Sequence, residues 1–173
     1  MTEHCAKCGA TLPAGSTCQT IYEELLGFEY NNAIPHSIHF LQVTCFLIQH
    51  ERYSDEALVW AQSMLRAHLD ETMTEQQLHY LLTKGEKGTA RTWKYQRSAD
   101  APPLPKIAWS ITIADVARNM QDVESYGKLV KQWAHTTLQQ MAAAGLNAPH
   151  AAPATLQRGD DVEKRVRARS DKD

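Results

Sequence analysis

Residues 35–50, PHSIHFLQVTCFLIQH, decide the fold that the sequence predicts. Pro35 is favourable in the first turn of a helix, and the residues after it are apolar on nearly all sides at helical spacing. A helix that is apolar all round is normally buried, so we expect this one at the centre of the molecule. The segment also carries four side chains that can bind metals: His36, His39, Cys45 and His50.

Helical patterns continue on both sides of this central segment. Upstream, an apolar stripe predicts a helix from about Cys18 to the Asn31-Asn32 pair. Ser16 or Thr17 can cap its start. Downstream, three further helix starts are marked by Ser54, Thr74 and Thr112, and a last helix is predicted from about Asp122 to Ala144.

These patterns predict an all-α protein. We expect a compact bundle of about five to six helices with a zinc knuckle at the N-terminus, because no stretch shows strand alternation. Residues 1–145 read as a single helical zinc-binding domain that ends near Gly145. Residues 146–173 are rich in Pro, Ala and alternating charge, which is typical of a disordered tail.

Composition excludes several classes of protein. The chain has 173 residues, is 43% hydrophobic and carries a formal charge of −2, so no global field favours nucleic acid or an anionic membrane. No apolar run is long enough to span a bilayer, and the first residues lack the pattern of a secretory signal. We therefore expect a cytoplasmic protein without a membrane partner, in which reduced, clustered cysteines bind metal.

The motif Cys5-x-x-Cys8-Gly9 has the spacing of a zinc knuckle, and Cys18 follows closely. A disulfide framework or a redox CxxC site is disfavoured by the reducing compartment and by the lack of a preceding strand. Structural Zn²⁺ needs four ligands, and the candidates for the fourth are His4, His36, His39, Cys45 and His50. A short loop between the first two helices makes them antiparallel, which brings the start of one beside the end of the other. His50 is therefore the first choice and Cys45 the second.

His36 and His39 need a separate explanation, because His39 and His50 are eleven residues apart, about 16 Å along a helix. One hypothesis is a second, catalytic metal site at His36 and His39 with a carboxylate such as Glu29 or Asp115. The favoured alternative makes His39 a buried polar residue that is hydrogen-bonded across helices, since no HExxH-type motif accompanies it.

Taken together, the motifs resemble a bacterial family of uncharacterised helical proteins, a domain of unknown function. The resemblance covers about residues 5–140 and includes three further patterns: His39-x3-Val43-x-Cys45-Phe46-x2-Gln49-His50, Thr112-Ile113-Ala114-Asp115-Val116 and Tyr126-x3-Val130-x2-Trp133-Ala134. Glu51 stands where that family usually has Pro, and Phe46 stands where it has Tyr. The resemblance supports metal binding and implies no activity.

Three functions remain open. The first is a helical protein with a mainly structural zinc that acts as a binding or accessory module for an unknown protein or small molecule. The second is a hydrolase-like metalloenzyme with its metal near His36 and His39. The third is a nucleic-acid-associated zinc protein that uses Trp93 to Arg97, although this basic loop is short and reads as solvated, which makes nucleic acid an unfavoured partner.

Overall fold

A computed structural model of the chain describes residues 3–83 and 95–146, with the side chains of 81–83 excepted. The expected helix end at Gly85, the residues Trp93 and Lys94 and the tail from residue 147 lie outside the described residues. Within the described part, the fold is mostly helical, which confirms the predicted class. None of its helices is long and apolar enough to cross a membrane.

The described residues form six helices and one two-stranded sheet. These are β1 (Glu3–His4), β2 (Thr11–Leu12), α1 (Cys18–Asn31), α2 (His36–Gln49), α3 (Asp55–Leu69), α4 (Glu75–Thr83), α5 (Ile113–Asn119) and α6 (Val123–Ala143). The small antiparallel sheet is the one element that the sequence patterns do not predict. Strands of two residues are too short to show an alternating pattern.

Side-chain caps lie at the predicted helix starts. The Thr17 hydroxyl accepts a hydrogen bond from the Thr20 N–H at 3.0 Å, and the Ser54 hydroxyl accepts one from the Ala57 N–H at 3.1 Å. The Asp122 carboxylate does the same at the start of α6. Each contact satisfies a backbone donor that has no partner inside the helix, so each cap fixes where its helix begins.

Helix α2 is the centre of the bundle, as its apolar surface predicts. Ten of its fourteen residues are buried, and it contacts α1, α3, α4 and α6. The rings of Tyr22 on α1 and Phe46 on α2 stack with centroids 4.3 Å apart. Nearer the other end of α2, Glu29 meets His39. These two contacts show that α1 and α2 run antiparallel, so Cys18 lies at the end of the pair where α2 finishes.

The chain leaves α2 through a tight turn. His50 is the C-cap of α2, and Glu51 adopts a φ of +54° while its N–H donates to the Ile48 carbonyl at 3.0 Å. Proline cannot adopt this conformation or make this hydrogen bond. The Arg52 N–H then donates to the Leu47 carbonyl, which closes the turn that follows His50.

Candidate metal centre

The N-terminal knuckle, residues 3–12, is a hairpin whose turn presents two cysteines. β1 pairs with β2, with Glu3 opposite Leu12. Inside the hairpin, the Gly9 N–H donates to the Cys5 carbonyl at 2.9 Å, and the Cys5 N–H donates to the Ala10 carbonyl at 3.0 Å. Gly9 has a φ of +75°, which glycine adopts without strain. The CxxCG segment thus forms a turn in which the backbone after Cys8 is hydrogen-bonded to the backbone of Cys5.

The knuckle thiols meet one side chain from each of the first two helices. Cys5 Sγ lies 3.8 Å from His50 Nε2, and Cys8 Sγ lies 3.6 Å from Cys18 Sγ. All four ligand atoms are within 4.8 Å of one another. Around a tetrahedral zinc ion with bonds of about 2.3 Å to sulfur and 2.0 Å to nitrogen, ligand atoms are about 3.5–3.8 Å apart. These four residues, called the metal cluster below, can therefore hold a metal ion.

His50 is oriented for ligation through one ring nitrogen. Its Nδ1–H donates to the Phe46 carbonyl at 2.7 Å, one turn back on α2. This hydrogen bond fixes the tautomer in which Nε2 carries the free lone pair, which is the usual arrangement for metal-binding histidines. The imidazole also packs on the Phe46 ring, with centroids 4.2 Å apart. The ring that Phe46 contributes is thus a support for the ligand.

The hydrogen bonds of the cluster favour a thiolate at Cys8. The Cys18 thiol donates a hydrogen bond to Cys8, which lowers the pKa of Cys8 to about 4, and the nearby His50 acts in the same direction. The same hydrogen bond raises the pKa of Cys18 well above its usual range, with burial adding to the effect. Since Cys18 is the first residue of α1, the positive end of the helix dipole faces the pair. A cation can replace the proton that the two sulfurs share.

Cys45, the second choice for the fourth ligand, lies elsewhere. It is fully buried and hydrogen-bonds with Thr137 of α6, and burial raises its pKa to about 12. Cys45 and His50 are five residues apart on one helix, which places them roughly 140° apart around its axis. His4 is also outside the metal cluster, and its ring faces Thr11.

Comparison with known protein families identifies the family of this chain. A family model described as a family of unknown function, DUF5946, matches residues 3–142. The chain belongs to DUF5946. No curated protein and no solved structure matches the chain. The predicted resemblance to a domain of unknown function is confirmed, and DUF5946 membership carries no named activity. The matched range includes the whole metal cluster.

At the other end of α2, this DUF5946 chain holds a carboxylate and histidine pair. His39 Nδ1 lies 2.6 Å from Glu29 Oε2, and the Tyr126 hydroxyl donates to Glu29 Oε1, also at 2.6 Å. The Glu29 side chain is 5% exposed and that of His39 is 46% exposed. Hydrogen bonding to Glu29 raises the pKa of His39. His39 is thus hydrogen-bonded across helices, as the favoured alternative predicts, but it is half exposed rather than buried.

The structure places the two other candidates for the second site, His36 and Asp115, in different parts of the molecule. His36 lies beside His79 of α4, with ring centroids 5.1 Å apart. Asp115 caps α5 instead, where its carboxylate accepts hydrogen bonds from the Thr112 N–H and hydroxyl. It lines neither of the two cavities that both His36 and His39 line. Sequence reasoning misses His79 because a lone histidine in a short helix carries no spacing signal.

The described part of the basic loop serves the fold. Arg97 donates to the Asp55 carboxylate at 2.6 Å, and only 10% of its side chain is exposed. Tyr95 packs against Tyr53 and Trp60, with ring centroids 5.6 and 5.8 Å away. These side chains hold the loop against α3, so neither of them offers the exposed cation or stacking surface that single-stranded nucleic acid needs.

Proposed function

We propose that this protein binds one structural Zn²⁺ ion through Cys5, Cys8, Cys18 and His50. The observation that carries the proposal is the convergence of four ligand atoms within 4.8 Å from three separate parts of the chain. Three cysteines and one histidine are a common set for structural zinc, and four protein ligands leave no open position for a substrate. Ligation needs reduced thiols, which agrees with a cytoplasmic location.

The role that we propose for the ion is to clamp the knuckle onto the bundle. Two strands of two residues do not form a stable hairpin alone. Cys5 and Cys8 belong to the hairpin, whereas Cys18 starts α1 and His50 ends α2. An ion bound by all four ties these elements together, and the ion pair of Lys7 with Glu51 adds a second link between knuckle and turn.

We further propose that the clamped knuckle forms one wall of a binding cleft, which gives the protein its role as a binding or accessory module. The cleft has a volume of about 350 Å³ and is lined by Lys7, Trp109 and the buried Gln49, among others. The Gln49 amide donates to the Ile111 carbonyl and to Thr137, while its Oε1 has no partner among the described residues. A small molecule with a flat apolar part fits the apolar residues of this lining.

Metal analysis of untagged protein purified under reducing conditions tests the zinc site. We expect one zinc per chain, and we expect Cys8→Ala and Cys18→Ala each to lower the zinc content at least tenfold. Cys45→Ala is the matched control, because it removes a buried thiol outside the cluster and should keep the full zinc content. Protein without metal, or equal loss in the control, contradicts the proposal.

Native mass spectrometry of freshly purified protein tests the cleft. The expected result is a small molecule that remains bound to the zinc-loaded chain and is lost in Trp109→Ala, with zinc retained. The half-buried Trp60 lies outside the cleft lining, so Trp60→Ala serves as the matched control. If wild type, both zinc-loaded and metal-free, carries no small molecule, the binding-module part of the proposal fails while the zinc site stands.

A further inference from the structure

Three histidines surround one cavity at the start of α2. The cavity has a volume of about 440 Å³, and its lining includes His36, His39 and His79. The first two lie one turn apart on α2, a spacing that places two side chains next to each other on a helix surface. All three residues are exposed, so a solute can reach their rings.

The third histidine is held in place by contacts between α2 and α4. The Ser37 hydroxyl donates to the Glu75 carboxylate at 2.5 Å, and Leu78 is fully buried next to His79 in sequence. These contacts place the His79 ring 5.1 Å from the His36 ring, centroid to centroid. Two imidazoles bound to one tetrahedral zinc ion have centroids about 5 Å apart, from nitrogen to zinc bonds of about 2.0 Å. The spacing of this pair therefore suits a shared ion.

His39 has the outer support that metal-binding histidines use. With Nδ1–H donated to the buried Glu29, the ring presents Nε2 with its free lone pair, and no described residue is bonded to that nitrogen. Tyr126 holds the other oxygen of Glu29, so the carboxylate cannot turn away. A carboxylate behind a histidine fixes the tautomer and makes the ligating nitrogen more basic.

We propose that His36, His39 and His79 bind a second divalent ion of the kind that prefers imidazole, such as Zn²⁺, Co²⁺ or Ni²⁺, with Glu29 as the positioning residue. The nitrogens of the three rings are less tightly grouped than the ligand atoms of the metal cluster, which is the only group of three or more in the described residues within 4.8 Å. Exposed side chains change rotamer in picoseconds to nanoseconds, so ring rotation can close the site around an ion.

Such an ion has a different chemical character from the one in the metal cluster. Three protein ligands leave a fourth position for water or a substrate, which is the arrangement of catalytic zinc sites. The cavity beside it is lined by aromatic side chains, including those of Tyr53, Trp60 and Tyr95. The ligand class of this second site is thus a small molecule with a metal-binding oxygen or nitrogen and an apolar body.

Cobalt titration of untagged full-length protein tests the site, with zinc already loaded in the metal cluster. We expect a second equivalent of Co²⁺ to bind without thiolate-to-cobalt charge-transfer absorption, since no cysteine lines this cavity. His36→Ala, His39→Ala and His79→Ala should each weaken this binding at least tenfold. His135→Ala is the control, because His135 is exposed on α6 and lines neither cavity that holds His36.

Glu29→Gln tests the positioning role. The amide of Gln at this site donates to His39 Nδ1, which moves the ring proton to Nε2 and should weaken Co²⁺ binding about 10- to 100-fold. Glu124→Gln is the matched control, since it makes the same exchange at an exposed residue that pairs with Lys128 and lines neither cavity that holds His39. A missing second equivalent of Co²⁺, a second equivalent that survives His39→Ala, or equal weakening in Glu124→Gln and Glu29→Gln would overturn the proposal. None of these results bears on the zinc content of the metal cluster.

Discussion

Removal of the ion from the metal cluster should release the knuckle, residues 3–12, and leave the helices folded. The hairpin buries little apolar surface of its own, chiefly that of Leu12 and Ala10. Its two short strands share few hydrogen bonds. The helices are packed by side chains outside the metal cluster, among them Leu41 and Trp133, which are fully buried.

The free energies involved support local rather than global unfolding. Ordering ten residues costs on the order of 10–20 kcal/mol of conformational entropy at about 1–2 kcal/mol per residue. Burial of the Leu12 side chain returns only about 1.5–3 kcal/mol. A structural zinc ion supplies about 10–16 kcal/mol in small zinc domains, which is of the same order as the remainder. Without the ion, the open form of the knuckle is therefore the stable one.

Hydrogen–deuterium exchange measured by mass spectrometry distinguishes these states. Protein stripped of metal by a chelator under reducing conditions should exchange the amides of residues 3–12 at the rate of an unfolded peptide. Peptides from α2 and α6 should keep their protection, and Cys18→Ala should reproduce the pattern without chelator. Loss of protection in α2 and α6 would show that the ion holds the entire bundle. A knuckle that stays protected without metal would refute the reasoning altogether.

Three other substitutions and treatments have expected outcomes. Tyr126→Phe leaves an oxygen of the buried Glu29 without its donor, so urea denaturation should show a loss of about 1–3 kcal/mol. Glu51→Gly should raise the free energy of unfolding by about 0.5–1 kcal/mol, because glycine adopts the positive φ without strain. This variant also loses the ion pair between Lys7 and Glu51, and Lys7→Ala measures the contribution of that ion pair separately. Iodoacetamide at pH 8 should modify the cluster thiols of metal-free protein but not Cys45, since burial raises its pKa to about 12; labelling of Cys45 in folded protein would contradict that burial.

Helix positions in this protein follow from local signals that the sequence displays. Thr17, Ser54 and Asp122 cap the helices at which the sequence places them, because an N-cap depends on contacts with the next three residues alone. The placement of α2 at the centre follows from its composition. The choice of His50 as a fourth ligand needs only one long-range assumption, the antiparallel hairpin of α1 and α2, and the structure places His50 beside the three cysteines.

The sequence fails where a residue is chosen by a contact between distant parts of the chain. His79 lies at the cavity that His36 and His39 also line, because Glu75, on the same short helix, accepts a hydrogen bond from Ser37 of α2. No period or spacing within α4 contains this information. The knuckle hairpin is missed for a related reason, since its strands are defined by pairing Glu3 with Leu12 and not by a pattern inside either strand.

The two ends of α2 should bind their ions independently. His39 and His50 are eleven residues apart, which is about 16 Å along the helix. Charges near the surface that lie farther apart than about 8–10 Å are largely screened at physiological salt, so an ion at one end has little direct effect on the other. The affinity of the proposed site at His36, His39 and His79 for Co²⁺ should therefore be the same, within a factor of about two, in zinc-loaded protein and in the Cys18→Ala variant. Coupling of tenfold or more corresponds to about 1.4 kcal/mol and cannot come from screened charges at this distance. It would require α2 itself to shift when the knuckle is released, which its burial on nearly all sides opposes.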